Sequence, residues 1–193
     1  NIKNMTFSDL YIQKGQLTDK GLTLVNDGHG YINSFYSEEF TPKRYDNLKI
    51  VEIGIYNGDS LILFRDWFVN SHIIGIDNKT EMSDANITKV DDIVGVDVVY
   101  KDAYDIETLK SFEDESIDYL IDDGPHSIES QIDCVELWFS KIKKGGTLII
   151  EDIQDIDIDK PKFDKLGIPY EIIDTRNTSP TKRKDDVLLI FRK

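Results

Sequence analysis

Residues 50–58 read IVEIGIYNG, and residues 73–77 read IIGID. Both are apolar runs. The first enters glycines at 54 and 58, and the second ends on Asp77, nineteen residues after the second glycine. Runs of this kind predict buried strands, and the glycines predict a sharp turn from strand into helix that leaves the backbone open to a ligand. Because an acid that closes the next strand can accept hydrogen bonds from both hydroxyls of a ribose, the two segments predict a nucleotide-cofactor pocket.

The spacing of the glycines indicates which class of cofactor the pocket would bind. Dinucleotide-binding turns carry G-x-G-x-x-G, with backbone N–H groups aimed at a pyrophosphate. Here the pattern is G-x-x-x-G, and Glu52 stands two residues before the first glycine. This arrangement suits a ligand with a ribose and a positive charge, and therefore favours S-adenosylmethionine over a nicotinamide cofactor. Paired glycines also occur in ordinary strand-to-helix turns, so the prediction depends on the two acids as well.

Length and charge limit the possible partners. A chain of 193 residues is most simply one domain, with residues 1–45 expected as an N-terminal helical lid segment and 46–193 as the cofactor-binding core. The net charge of −14 predicts repulsion from phosphate backbones and argues against a nucleic-acid substrate. Cys134 is the single cysteine, and we find neither a signal-peptide core nor an apolar run of the roughly 18 residues that a membrane span needs. We therefore expect a reduced, cytoplasmic protein that does not insert into membranes.

The chain alternates apolar runs with helical patterns, which predicts an α/β fold. The predicted strands are 48–54, 72–77, 95–101, 117–122, 146–151, 169–174 and 186–192, and the predicted helices are 31–40, 59–69, 104–111 and 127–142. The central strands are continuously apolar, as in parallel sheets covered by helices on both faces. A polar loop without a helix joins the last two strands, so these two should pair antiparallel.

Two local features carry further expectations. Helix 127–142 has Ile128, Ile132, Val135 and Phe139 at helical spacing as core positions, and the following KKGG at 143–146 is expected to form a basic last turn and a glycine stop. The biased stretch EDIQDIDIDK at 151–160 is expected to be a loop across the carboxyl ends of the strands.

A cluster of acids follows two of the predicted strands. DDGPH occupies 122–126 after one strand, and Glu151 and Asp152 follow the next. Neighbouring strands lie about 4.8 Å apart, so carboxylates at their carboxyl ends can reach one cation. Three oxygens, from Asp123, Glu151 and Asp152, would supply half of an octahedral Mg²⁺ shell and leave places for water and substrate hydroxyls. Acids at strand ends are often solvated, but three packed together would repel one another without a cation or proton.

Together the motifs resemble one family. They are TDKG at 18–21, HGY at 29–31, VEIGxxxG at 51–58, GID at 75–77, DDGxH at 122–126 and GGTLIIED at 145–152. The chain resembles, over almost its whole length, the metal-dependent sugar O-methyltransferases of the macrocin and mycinamicin group, which has cephalosporin hydroxylase-like relatives. The resemblance implies a Rossmann-like class I methyltransferase fold, with a seven-stranded, mostly parallel sheet, a C-terminal antiparallel hairpin and helices on both faces.

The resemblance also implies roles for individual residues. Asp123, Glu151 and Asp152 would hold Mg²⁺ or Mn²⁺, and His126, aided by Asp123, would be the general base. S-adenosylmethionine would bind at Thr18, Asp19, Lys20, Glu52, Gly54, Tyr56, Gly58, Asp77, Asp102, Ala103 and Asp122. His29 and Tyr31 belong to a segment that we expect to fold over the pocket, where substrate contact and simple packing are both open.

The function predicted from the sequence is Mg²⁺-assisted O-methylation of a sugar hydroxyl, on a glycan or a glycosylated small molecule. Alternatives are methylation of a non-sugar, catechol-like hydroxyl, a hydroxylase-like tailoring protein and a non-catalytic binding module. We see no iron-binding set of two histidines and a carboxylate among the three histidines, and a binding module would have no need of the acids. A homo-oligomer is an open possibility.

Overall fold

The computed structural model describes residues 4–23, 25 and 27–193 and contains a seven-stranded sheet. The strands are β1 Lys49–Ile53, β2 His72–Ile76, β3 Val96–Val99, β4 Ile117–Asp122, β5 Ile142–Ile150, β6 Glu171–Asp174 and β7 Val187–Arg192. Their order is β3-β2-β1-β4-β5-β7-β6, with β1 to β5 parallel and β7 antiparallel to both of its neighbours. The predicted sheet and its C-terminal hairpin are confirmed.

Helices cover both faces of the sheet. They are α1 Phe7–Gln13, α2 Ser37–Phe40, α3 Asp59–Trp67, α4 Asp84–Asp91, α5 Ile106–Lys110, α6 Ile128–Trp138 and α7 Ile156–Asp164. A π-helical turn at Ile32–Tyr36 leads into α2, and every residue of β4 is buried. One face of the sheet packs on aromatic residues such as Phe7, Phe40 and Trp67, and the other on Cys134 and Trp138. Among the described residues, no helix is long and apolar enough to cross a membrane.

Three helices were not predicted: α1, α4 and α7. Helix α1 has a signal that was available in the sequence, because the Thr6 side chain accepts from the Asp9 N–H and the Asp9 side chain accepts from the Thr6 N–H, forming a capping box. Helix α4 buries only Val90, so its sequence carries almost no apolar period.

The expected loop at 151–160 is wrong over its second half, where α7 begins. The alternation IDID suggests a period of two, but the buried side chains of α7 are Ile156, Asp159 and Phe163, which follow a helical period. Because one of these three buried positions holds an aspartate, the apolar residues alone do not show the helical period.

The expected end of helix 127–142 is also wrong. Helix α6 stops at Trp138, a 3₁₀ turn covers Phe139–Lys141, and β5 begins at Ile142, so KKGG lies within a strand. The pairing of β4 with β5 shifts register between Ile117 and Tyr119, which absorbs this irregular start. Helix α6 buries Gln131, Cys134, Val135 and Trp138. Of the predicted core positions, Val135 is fully buried, and Ile128, Ile132 and Phe139 are partly buried against the same core.

The sheet order places the ends of β1, β4 and β5 side by side. Ile53 pairs with Asp122, and Asp122 pairs with Ile150, so the residues that follow these strands meet at one edge. From β1 the strands are added outward to β2 and β3 on one side of the sheet, and then to β4 and β5 on the other side. The place between the carboxyl ends of β1 and β4 is therefore the topological switch point, where open α/β sheets bind ligands.

Candidate active site

The two glycines of the first turn are required by the protein's own packing. Gly54 has φ +79°, and a Cβ there would lie 2.0 Å from the Asp123 carbonyl oxygen. Gly58 has φ +77°, and a Cβ there would lie 2.8 Å from Ile93 and 2.9 Å from Val90. Both positions therefore need glycine for backbone conformation and for space. At Gly54 the absent side chain lets the loop after β4 cross the end of β1.

Asp77 binds the same turn from the neighbouring strand. Its Oδ2 accepts hydrogen bonds from the N–H groups of Ile55 at 3.0 Å and Tyr56 at 3.4 Å. Its Oδ1 accepts from the N–H of Lys79 at 2.6 Å. Because a carboxylate has about four lone-pair sites, Asp77 can hold the turn and still accept from a ligand.

A single cavity of about 790 Å³ runs along this edge of the sheet. The predicted site residues on its wall are Thr18, Asp19, Gly54, Tyr56, Asp77, Asp102, Ala103, Asp123, His126 and Asp152. The other predicted residues lie off the wall: Lys20, His29, Tyr31, Glu52, Gly58, Asp122 and Glu151. The structure therefore brings the two predicted sites into one cavity and places several of the predicted side chains behind its surface.

Lys20 lies behind the wall among three carboxylates. Its Nζ is 2.6 Å from Asp123 Oδ2, 2.5 Å from Glu151 Oε2 and 3.1 Å from Glu52 Oε1. Burial by itself would lower the pKa of Lys20, but these negative charges outweigh it and raise the pKa well above its ordinary value. Lys20 is thus a buried, charged ammonium, with no direct access to a cofactor in the cavity.

Glu52 and Glu151 face this ammonium. Glu52 also accepts a hydrogen bond from Ser60 Oγ at 2.6 Å, and Glu151 also accepts one from the Tyr36 hydroxyl. Burial raises the pKa of both carboxyl groups, and for Glu151 it does so strongly. Both oxygens of Glu151 therefore have a protein partner, and its carboxylate is directed away from the cavity.

Asp123, His126 and Asp152 form the polar end of the cavity. His126 Nε2 lies 3.7 Å from Asp123 Oδ1 and 3.7 Å from Asp152 Oδ2, and one ligand atom from each residue fits within 4.8 Å of the others. His126 has φ +58° and Asp152 has φ +55°. Such left-handed backbone is costly for these residues and is concentrated at functional sites.

The electrostatics of this group favour a cation. Burial, with a further contribution from the charge of Asp123, raises the pKa of Asp152 to about 6. Two carboxylate oxygens this close together are hard donors of the kind that Mg²⁺ and Mn²⁺ prefer. The donor set therefore fits a divalent cation.

His29 and Tyr31 support Asp152 from behind. The Tyr31 hydroxyl donates to Asp152 Oδ1 at 2.7 Å, and its oxygen lies 3.1 Å from the Asp185 carbonyl oxygen. His29 stacks on the Tyr31 ring at 5.1 Å, and its Nδ1 lies 2.7 Å from Asp186 Oδ1. Both residues are buried, with exposed fractions of 4% for His29 and 0% for Tyr31. Their polar atoms therefore contact the protein and hold Asp152 in its orientation.

The adjacent aspartates Asp122 and Asp123 point in different directions, and only Asp123 lines the cavity. Asp122 Oδ1 accepts from the Tyr104 hydroxyl at 3.0 Å and from the Gly124 N–H at 3.2 Å, and burial raises the pKa of Asp122 to about 6. Asp122 shapes the loop, while the adjacent Asp123 reaches the cavity. No local pattern indicates the supporting residues Tyr36, Tyr104 and Asp186, because their roles depend on contacts with residues of other elements.

Comparison with known proteins decides the family. Residues 51–153, more than half of the chain, match the profile of a family described as a methyltransferase domain. The chain belongs to this family. The matched segment runs from β1 through the end of β5 and includes the Gly54 turn, Asp77, Asp123 and Asp152.

Two curated relatives are O-methyltransferases of Streptomyces species. Demethylmacrocin O-methyltransferase of Streptomyces fradiae is 25% identical over an aligned length of 178, and the match covers 83% of this chain and 43% of that protein. The 8-demethyl-8-alpha-L-rhamnosyl tetracenomycin-C 2′-O-methyltransferase of Streptomyces olivaceus is 26% identical over an aligned length of 130, and the match covers 62% of this chain and 32% of that protein. The chain therefore spans less than half the length of these two relatives.

A solved structure shares the fold. The MycE methyltransferase of mycinamycin biosynthesis, in complex with Mg, SAH and mycinamycin VI, superposes with a TM-score of 0.67 at 19% identity. The superposition covers 97% of this chain and 54% of that one. The class I methyltransferase fold inferred from the sequence is confirmed.

Proposed function

We propose that the chain is an S-adenosylmethionine-dependent, Mg²⁺-assisted O-methyltransferase that acts on a sugar hydroxyl of a glycan or glycosylated small molecule. The observation that carries the proposal is the cavity itself, whose wall joins the Gly54 turn and Asp77 to Asp123, His126 and Asp152. A methyl donor at one end and an activated hydroxyl at the other would then meet within one cavity. Membership of the methyltransferase domain family supports the reaction class.

The cofactor end has the groups that S-adenosylmethionine needs. This cofactor supplies an electrophilic methyl group on a positively charged sulfur. Asp77 would accept the ribose hydroxyls, and Asp102 and Ala103 would lie near the adenine. Thr18 and Asp19 line the cavity from the N-terminal segment and would limit access of water to the donor.

The polar end has the groups that activate a hydroxyl. Asp123 and Asp152 would hold a divalent cation, which would supply positive charge that favours loss of the hydroxyl proton. His126 borders the same space, with its side chain one-third exposed, and its Nε2 would take that proton. His126 would hold that proton, while the hydroxyl oxygen would form a bond to the methyl carbon and the bond from that carbon to sulfur would break, leaving S-adenosylhomocysteine.

The sugar acceptor is supported by the relatives. One is named for the 2′-O position of a rhamnosyl tetracenomycin, and the structural neighbour carries Mg, SAH and mycinamycin VI. Two adjacent sugar hydroxyls could chelate the cation and hold one oxygen in line for transfer. The strongly negative charge of the chain, −14, is consistent with a neutral small-molecule acceptor and not a nucleic acid.

Binding and transfer can be tested separately. Calorimetry should show micromolar binding of S-adenosylhomocysteine and none of NAD. Radiolabelled methyl transfer from S-adenosylmethionine should then be measured on a panel of glycosides, catechols and carboxylic acids with Mg²⁺ present. Transfer to glycosides that have adjacent hydroxyls is expected, while transfer only to catechols or carboxylates would refute the acceptor class.

A further inference from the structure

Tyr104 connects the segment after β3 to the loop after β4. Its hydroxyl donates to Asp122 Oδ1 at 3.0 Å, and the same oxygen accepts from the Gly124 N–H at 3.2 Å. Asp122 is 2% exposed, so water competes little for these hydrogen bonds. Two donors from different loops therefore fix the orientation of one buried side chain.

The loop that Asp122 holds is tightly constrained. A Cβ at Gly124 would lie 2.7 Å from the Tyr104 hydroxyl and 3.0 Å from Asp122 Oδ1. His126 has a left-handed backbone with φ +58°, and the next residue, Ser127, is the N-cap of α6. The unfavourable backbone of His126 is thus bounded by the helix cap on one side and by the hydrogen bond from Gly124 to Asp122 on the other.

Tyr104 is itself anchored by neighbouring contacts. Its N–H donates to Asp102 Oδ1 at 2.9 Å, and the Ala103 carbonyl accepts from the Trp138 indole N–H at 2.9 Å. The Tyr104 side chain is partly buried and lines the cavity. Because Trp138 lies on α6, the helix that follows His126 also fixes the segment from which Tyr104 reaches Asp122.

We propose that Tyr104 is a positioning residue that holds, through Asp122, loop 123–126 in the conformation that places His126 beside the cavity. The proposal rests on the proposed function, because the position of His126 matters only if its imidazole takes the acceptor proton. It assigns a role to a cavity residue that lies outside every motif of the sequence.

The position of a general base is critical for its rate. The base must lie within hydrogen-bond reach of the proton, and a misplacement of about 1 Å can cost about 10²-fold. Left-handed backbone at a residue such as His126 persists only where the surrounding structure over-determines it. Removal of the Tyr104 hydroxyl takes away one of the two donors that orient Asp122, and should therefore release the loop.

The first measurement is amide hydrogen exchange by NMR in protein labelled with ¹⁵N-glycine. Tyr104→Phe removes one oxygen and keeps the ring. Asp122→Asn keeps an oxygen with two lone pairs that can accept from both donors. Tyr170→Phe is the matched control, because Tyr170 is also partly buried and donates to an aspartate, Asp164, at 2.6 Å, but away from the cavity wall. The amide of Gly75, which is buried in β2, reports global opening in the same samples.

We expect the Gly124 amide to exchange at least about tenfold faster in Tyr104→Phe than in wild type, the factor for loss of one hydrogen bond of ordinary strength. Exchange at Gly75 should change by less than about threefold, because the opening is local. In Asp122→Asn and in Tyr170→Phe, Gly124 should exchange within about threefold of the wild-type rate. Retention in the asparagine variant would show that the side-chain oxygen, and not its charge, holds the loop.

The second measurement locates His126 relative to bound Mn²⁺, by electron–nuclear double resonance on protein labelled with ¹³C-histidine. His126→Ala identifies the His126 signal. His29 Nδ1 lies 3.4 Å from Asp152 Oδ1, so the His29 signal is the internal reference. In Tyr104→Phe the His126 coupling should weaken and broaden, because it falls with the cube of the distance, whereas the His29 coupling should keep its wild-type value.

Three results would overturn the proposal. Exchange of Gly124 at the wild-type rate in Tyr104→Phe would show that the hydroxyl does not hold the loop. Equal acceleration at Gly124 and Gly75 would show a general loss of stability. Faster exchange at Gly124 with an unchanged His126 coupling would show that the loop opens without moving the base.

The proposed function can fail separately. Wild type that binds no Mn²⁺ would refute the metal-assisted function, and the exchange of Gly124 relative to Gly75 would still decide whether Tyr104 holds the loop. Wild type that binds Mn²⁺, with exchange in Tyr104→Phe unchanged, would refute this proposal only.

Discussion

The two ends of the cavity are assembled from different distances along the chain. At the cofactor end, Asp77 binds the turn at Ile55, only 22 residues away. At the cation end, Lys20 reaches Asp123 across 103 residues, and Tyr31 reaches Asp152 across 121. The first end is therefore a product of two adjacent strands, and the second requires the N-terminal segment to be in place.

This difference implies that the two ends can be disturbed separately. Asp77 is held by backbone N–H groups of its own βαβ unit, which the sheet itself orders. Asp152 and Glu151 are held by tyrosine hydroxyls and an ammonium from a distant segment. Substitutions at the cation end should alter metal binding and turnover. Only substitutions at the cofactor end should alter cofactor affinity.

Removal of the cation should give the largest effect. Excess EDTA should reduce methyl transfer to background, and Mg²⁺ or Mn²⁺ should restore it, because the site offers hard oxygen ligands. Asp123→Asn and Asp152→Asn should prevent this restoration and leave S-adenosylhomocysteine affinity within about twofold in calorimetry, since Asp77, the proposed ribose acceptor, is held by backbone N–H groups of its own βαβ unit. Full turnover in EDTA would show that the acids serve another purpose.

Loss of the proposed general base should have the second largest effect. His126→Ala is expected to lower kcat by about 10²–10⁴-fold, the range for general-base catalysis, and to leave cofactor binding unchanged. His72→Ala is the matched control, because His72 also lies beside an aspartate, Asp97. Its side chain is 50% exposed, and it is the first residue of β2, at the opposite end of that strand from the cavity. Equal initial rates for the His126 variant and the control would exclude the base.

Loss of the proposed ribose acceptor should weaken cofactor binding and leave the cation end unchanged. Asp77→Ala should weaken S-adenosylhomocysteine binding by about 1.5–3 kcal/mol, the range for hydrogen bonds to a charged group. Mn²⁺ affinity should not change. A parallel loss of Mn²⁺ affinity would mean that the two ends are coupled through the Gly54 turn, which Asp77 binds and against which Asp123 packs.

The smallest expected effect is on stability. The folded-state pKa of Asp152 is raised from 3.8 to about 6, so the folded protein binds more protons than the unfolded chain between these values. Without a divalent cation, the free energy of unfolding should therefore fall as pH rises from about 4 to 6, and Asp152→Asn should remove about 1–2 kcal/mol of this fall. Asp122, whose pKa is also about 6, acts in the same direction.

Urea denaturation in EDTA at pH 4 and pH 6.5 would measure this. The asparagine variant should be more stable than wild type at the higher pH, and that order should reverse when Mn²⁺ is added, because the cation binds folded wild type more tightly. A variant that is less stable than wild type in EDTA at pH 6.5 would contradict the assigned cost of burying the Asp152 charge.

The sequence by itself determined the central strands, the Gly54 turn and the acids that follow β2, β4 and β5. These features depend on apolar runs, on glycine at positive φ and on the geometry of parallel strand ends, all of which are local. The antiparallel pairing of β6 with β7 followed from the loop between them. The family itself was apparent from motifs lying at these strand ends.

Only the tertiary structure decided which acid of each pair faces the cavity. Adjacent residues point to opposite sides of a strand end, so Asp123 lines the cavity and Asp122 does not, and Asp152 lines it while Glu151 turns to Lys20. The choice depends on partners more than a hundred residues away, such as Lys20 and Tyr31. No local pattern records these contacts, because they exist only when the N-terminal segment packs over the edge of the sheet.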